Sequence, residues 1–87
     1  YYAMETFWTE IKVGDALTLV REPDNRHDRN AIRVDWRGHK LGYVPRAQNR
    51  AVAAAIDAGD RLSARVSSLS DNKNPWQRLA FEVFAEL

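Results

Sequence analysis

Hydrophobic and polar residues alternate cleanly over residues 31–37, with Ile32, Val34 and Trp36 on one face and Arg33, Asp35 and Arg37 on the other. That is the period of a half-buried strand. Arg37-Gly38-His39 follows as a hairpin turn, because glycine takes a positive φ without strain. Residues 40–44 form the return strand, and Gly42 inside it points to a bulge or a close backbone approach. Upstream, residues 16–21 (ALTLVR) are β-rich, with Leu17 and Leu19 on one face, and Pro23 ends the run. Downstream, residues 47–58 carry the one clear helical period, through Val52, Ala55, Ile56 and Gly59. Asn49 is expected as its cap and Gly59 as its C′ residue. Residues 61–69 alternate again, with Leu62, Ala64 and Val66 inward. Residues 70–75 (SDNKNP) are a loop by composition. A last strand over 78–86 places Leu79, Phe81, Val83 and Ala85 inward and Glu82 outward. Residues 1–7 are aromatic-rich and suit an edge strand. Residues 6–13 suit a helical turn or a loop on the core, and Gly14-Asp15 marks a turn.

Five or six short strands with one helix and an explicit hairpin define a mainly β chain. The economical closure is a small, OB-like, five- to six-stranded antiparallel β-barrel; a two-layer α+β arrangement is the alternative. The 87 residues make one domain over 1–87. Its 45% hydrophobic and 29% charged content is that of a globular domain. No apolar run approaches the ~20 residues that span a bilayer, and no secretory signal is visible. The expectation is a cytoplasmic protein, or a nuclear one in a eukaryote, with no membrane partner. Met4 is internal, so a segment of a longer chain is one reading.

The chemistry narrows by exclusion. With no cysteine there is no thiolate nucleophile or thiolate metal site. Ser63, Ser67, Ser68 and Ser70 lie in no strand-turn-helix elbow, and His27 beside Asp28 is not a triad spacing. The run DNRHDRNAIRVD resembles a calcium loop only superficially: Arg29 stands where a turn glycine is needed and Arg26 where a ligand belongs. His27 and His39 are too few for zinc, and no phosphate-cradling glycine loop exists. The expectation is no enzyme, no cofactor and no metal.

Charge adds a weak pointer. Net charge is +1, but residues 21–50 hold eight bases against four acids, leaving that stretch +4 and the rest −3. Ten of the thirteen bases are arginine, whose planar fork suits phosphate. A solvated basic face explains this equally well. The Asx residues of the 22–30 loop have a plain structural reading, since their side chains tie tight turns; the functional one is that Asn25 and Asp28 face a ligand. Trp36 and Phe81 alternate with core positions. Tyr1, Tyr2, Tyr43 and Trp76 fall at strand ends or in polar loops near cations, where they either cap the barrel or stack bases. Composition alone favours capping.

The run GDALTLVREPDNRHDRNAIRV, then GHKLGYVPR, then AVAAAIDAG, resembles a HIRAN domain. Arg21, Glu22, Pro23, Asn25, Asp28, Asn30, Ala31, Ile32, Gly42, Tyr43, Pro45 and Arg46 fall in that family's order. The likeness covers nearly all of the chain from Gly14 onward. It implies an OB-like barrel that binds single-stranded DNA at a free 3′ end, stacking the terminal base on aromatics while a carboxylate accepts the 3′-hydroxyl. By position, Asp28 takes the hydroxyl with Asn25 beside it, and Arg46 takes a phosphate. Tyr43 stands where helicase-type members have histidine, and His27 where they have tyrosine. Trp76 matches an aromatic before the last strand, and Tyr1 and Tyr2 match the paired tyrosines of the first. The reading is a non-catalytic, monomeric DNA-binding module for repair or fork processing, attached to or working with a helicase or nuclease chain. The competing reading is a protein-interaction module in which the loop is only a turn.

Overall fold

The computed structural model describes residues 10–70 and 79–86. The elements run β1 (Ala16–Arg21), β2 (Ile32–Trp36), β3 (His39–Tyr43), α1 (Arg46–Asp57), β4 (Leu62–Leu69) and β5 (Leu79–Ala85). All strand pairings are antiparallel, in the order β3-β2-β1-β4-β5. The described residues are therefore mainly β with one α-helix, an OB-like arrangement. Among the described strands the sheet is open rather than a closed ring. Its two halves meet at β1, which changes partner along its length. Ala16 and Leu17 pair with Arg65 and Ala64 of β4, whereas Thr18 to Arg21 pair with Asp35 to Ile32 of β2. A strand shared between two half-sheets is how small β domains turn a corner.

The alternating positions build the core. Ile32 and Val34 are fully buried, as are Trp36 and Val66 nearly so, and Leu17, Leu41, Ala53, Ala64 and Leu79 join them. Trp36 satisfies its one polar atom by donating from Nε1 to Asp15 Oδ2 at 3.0 Å. Ala85, expected inward, is exposed although it pairs with Leu62, because it is the last residue of β5 and lies beyond the core. The other face of β2 is not simply solvated. Asp35 is buried because Arg33 clasps it through Nε and Nη2 at 2.9 and 3.0 Å.

The β2–β3 turn is Arg37-Gly38, with φ of 48° and 83°, the two positive angles that match a hairpin's twist. The bulge signalled by Gly42 is present: Val34 pairs with Gly42 but Asp35 with Lys40, so Leu41 is the extra residue. That extra residue shifts parity, and Lys40 and Tyr43 share a face. Helix α1 ends as its sequence suggests. Asp60 N–H donates to Ala55 O and Gly59 N–H to Ile56 O, both at 3.0 Å, with Gly59 at φ 90°, a Schellman motif. Its start differs from expectation. Pro45 occupies the N-cap position and no side chain caps the helix. Asn49 lies inside the helix, buried, and its amide is used elsewhere.

Candidate nucleic-acid interface

The loop between β1 and β2 is tied by its own side chains. Asn25 N–H donates to Glu22 O at 3.1 Å, closing a turn around Pro23-Asp24. Asn25 Oδ1 accepts from the amides of His27 and Asp28 at 2.9 and 3.1 Å, and its Nδ2 donates to Glu22 Oε1 at 3.1 Å. Asp28 Oδ1 accepts from the Asn30 amide at 2.9 Å, and Ala31 N–H returns to Asp28 O at 3.0 Å. These are Asx turns, so the turn reading of the loop holds for Asn25 and Asp28. The same turns fix where Asp28 projects.

Two further elements close on this loop. From the end of β3, Tyr43 donates its hydroxyl to Glu22 Oε1 at 3.0 Å, and Lys40 Nζ lies 4.8 Å from the Tyr43 ring centroid. From the first turn of α1, Arg46 Nη2 donates to His27 O at 3.0 Å, and its Nε stands 3.6 Å from Asp28 Oδ2. Asn49 Nδ2 donates to Asp28 Oδ2 at 2.7 Å.

Between loop, strand and helix opens a cavity of about 450 Å³. Its floor includes the apolar Ala31 and Val44, and its rim carries Asn25, His27, Asp28, Lys40, Tyr43, Arg46 and Asn49. A cleft of about 250 Å³ adjoins it, lined by His27, Asp28, Asn30, Arg46, Asn49 and Arg50. Five expected site residues, Asn25, His27, Asp28, Tyr43 and Arg46, thus line one cavity. Tyr1, Tyr2 and Trp76 lie outside the described residues.

The electrostatics favour ionised carboxylates. The Asn30 amide, then the Asn49 amide, hold the Asp28 carboxyl below its ordinary range, with Arg46 adding to the effect. Asn25, then the Tyr43 hydroxyl, lower Glu22 in the same way. Asp28 keeps about a fifth of its side chain exposed (21%), whereas the Arg46 side chain is 75% exposed. The cavity thus offers an acceptor-only carboxylate, an aromatic ring and a mobile-length cation within one ligand's reach. Among the described residues no group of three His, Asp or Glu side chains is placed to hold a metal ion, and no helix is long and apolar enough to cross a membrane.

Lys40, Asn49 and Glu22 escaped the residue-by-residue reading. Lys40 was detectable through Gly42: the bulge is what brings it onto the Tyr43 face. Asn49 and Glu22 act across 21 residues of sequence, and no local pattern announces such pairs.

Fold and cavity together define a small β domain of the binding-module class, with a polar pocket at a loop–strand–helix junction. The HIRAN domain family matches residues 1–87, and the chain belongs to that family. A crystal structure of a protein from Lactobacillus plantarum is 32% identical, with a TM-score of 0.73, over 93% of this chain and 80% of that one. The crystal structure of the HIRAN domain of human HLTF has a TM-score of 0.64 at 20% identity, over 84% of this chain and 57% of that one; at that identity it speaks for the fold. A Fanconi-associated nuclease 1 homolog of Oryza sativa subsp. japonica is 36% identical over 52 residues, 55% of this chain but only 5% of that protein.

Proposed function

We propose that this domain is a non-catalytic module that binds single-stranded DNA at a free 3′-hydroxyl end. The observation that carries the reading is the cavity itself, where the Asp28 carboxylate faces the same space as the Tyr43 ring and Arg46. An ionised carboxylate only accepts hydrogen bonds, so it takes a hydroxyl and repels a terminal phosphate. The aromatic ring offers a stacking surface for the last base, worth about 1–3 kcal/mol per base in such sites. Arg46 is long and exposed enough to leave the His27 carbonyl for the backbone phosphate. Tyr1, Tyr2 and Trp76 would extend the stacking surface. A monomer delivering a helicase or nuclease to a strand end is the matching biological setting. The nuclease relative from rice supports that setting.

Fluorescence anisotropy tests the reading with three labelled oligonucleotides: a strand ending in a 3′-hydroxyl, the same strand with a 3′-phosphate, and a blunt duplex. The hydroxyl strand is expected to bind about tenfold or more tightly than the phosphate strand, as one charge-assisted hydrogen bond gained and one repulsion avoided imply. Asp28→Asn should remove most of that preference. Equal, salt-sensitive binding to all three would leave only a basic patch and defeat the proposal.

A further inference from the structure

We propose that Asn49 is the positioning residue that gives the pocket its end selectivity, by holding the Asp28 carboxylate in the orientation that accepts a terminal hydroxyl. The inference rests on the 3′-end reading above and adds a residue to it.

Asp28 is held by more than its own loop. Its two oxygens are pinned from two directions. The Asn30 amide of its own loop takes Oδ1 at 2.9 Å, and the Asn49 amide of α1 takes Oδ2 at 2.7 Å. A carboxylate offers about two acceptor sites per oxygen, so each oxygen keeps one for a ligand. Because Asp28 only accepts, the nitrogen of Asn49 and not its oxygen must face it, which fixes the amide's orientation. Arg46 is a poorer clamp: it lies 3.6 Å from Oδ2 on a side chain that is 75% exposed, and its direct bond goes to the His27 carbonyl. Arg46 supplies charge, whereas Asn49, only 4% exposed, supplies direction.

The place of Asn49 in the helix supports this. The buried face of α1 consists of Asn49 and Ala53, flanked by Val52 and Ile56 packed on the core. An apolar residue would continue that stripe. A buried amide is costly unless bonded, and here its bond goes to Asp28. Among the described residues, Asn49 Oδ1 accepts no hydrogen bond, and Asn49 lines both the cavity and the adjoining cleft. The residue therefore stands in the cavity wall directly behind Asp28.

Asn49→Leu keeps the branched shape at a somewhat larger volume and removes the polar atoms; Asn49→Ala serves where leucine does not fold. Both are measured by anisotropy on the 3′-hydroxyl and 3′-phosphate strands. The preference should fall about tenfold, with affinity for the phosphate strand held within about twofold. A second readout is the carboxyl carbon resonance of Asp28, whose titration midpoint should move up in the variants. The charged and polar groups around that carboxylate are Arg46, Asn49 and Arg50 from α1, His27 and the Asn30 amide from the loop, Lys40 and Tyr43 from β3, and Arg21 from β1, and only Asn49 changes. Equal loss on both strands would make Asn49 a structural residue and overturn the inference. So would a retained preference in the Asn49 variants while Asp28→Asn abolishes it. If the unaltered protein shows no preference between the strands, the 3′-end reading fails first and the role of Asn49 falls with it.

Discussion

Tyr43 is held at both ends: its hydroxyl donates to Glu22 and its ring carries the Lys40 ammonium. The two attachments separate by substitution. Tyr43→Phe removes one neutral-to-charged hydrogen bond and should lower stability by about 1.5 kcal/mol with DNA affinity unchanged, because the ring survives. Tyr43→Ala should weaken binding by about 1–3 kcal/mol. Chemical denaturation and anisotropy on the same samples check both, and a phenylalanine variant that binds as poorly as alanine would show that the hydroxyl, not the ring, meets the ligand. The depressed carboxyls of Asp28 and Glu22 carry a pH consequence. Their ordinary values are 3.8 and 4.5, and the folded values lie lower, so the folded state binds fewer protons than the unfolded one in that range. Their stabilisation is complete well above the ordinary values and is lost as pH falls through the folded ones. Tm should drop as pH is lowered below about 4.5, and the Glu22→Gln, Asp28→Asn double variant should show a flatter acid limb.

At the scale of elements, local patterns were legible where local physics decides. Alternation located β2 and its buried face, the Arg37-Gly38 turn took its positive angles, Gly42 announced the bulge, and Gly59 ended the helix. Gly59→Ala tests the last of these. A Cβ there meets no atom within 4 Å, so any cost is that of φ 90° alone, about 1–2 kcal/mol. For a domain of this size each kcal/mol lowers Tm by roughly 4–8 °C; an unchanged Tm would mean that the helix ends by another route. What local pattern missed was decided by partners far along the chain. Asn49 read as a helix cap because asparagine is among the residues favoured at a helix start. Its actual use depends on an aspartate 21 residues earlier, and Pro45 had already taken the cap position. Arg21 looked like part of a basic face, yet its guanidinium is spent on Asp57 at 3.1 Å and on the Ala31 carbonyl at 3.2 Å. The loop residues singled out through family order, Asn25, His27 and Asp28, line the cavity, although their own turn chemistry gave no sign of it.

Over the whole molecule, this sorting of arginines revises what the +4 stretch can do. Arg21 and Arg33 are committed to carboxylates, and Arg37 lies over Trp36 at 4.7 Å. Around the cavity and its cleft the cations are Lys40, Arg46 and Arg50. On the proposed reading the charge at the cavity itself is about three side chains rather than eight, with the exposed Arg26 and Arg29 of the loop outside its lining, and binding there should be correspondingly modest in its response to salt. Single strands lose affinity with a log–log slope of about −0.7 for each phosphate neutralised. If these three cations each meet one phosphate, the slope should lie near −2, and Arg46→Ala should bring it down by about 0.7. Titrations of one oligonucleotide across a tenfold range of salt measure both numbers. The preference for a 3′-hydroxyl over a 3′-phosphate should narrow as salt rises, because repulsion of the extra charge by Asp28 is screened, yet not vanish, because the hydrogen bond to the hydroxyl remains. A slope far steeper than −2 would mean that phosphates contact cations outside this cavity, and the pocket would then be the end of a longer path across the domain.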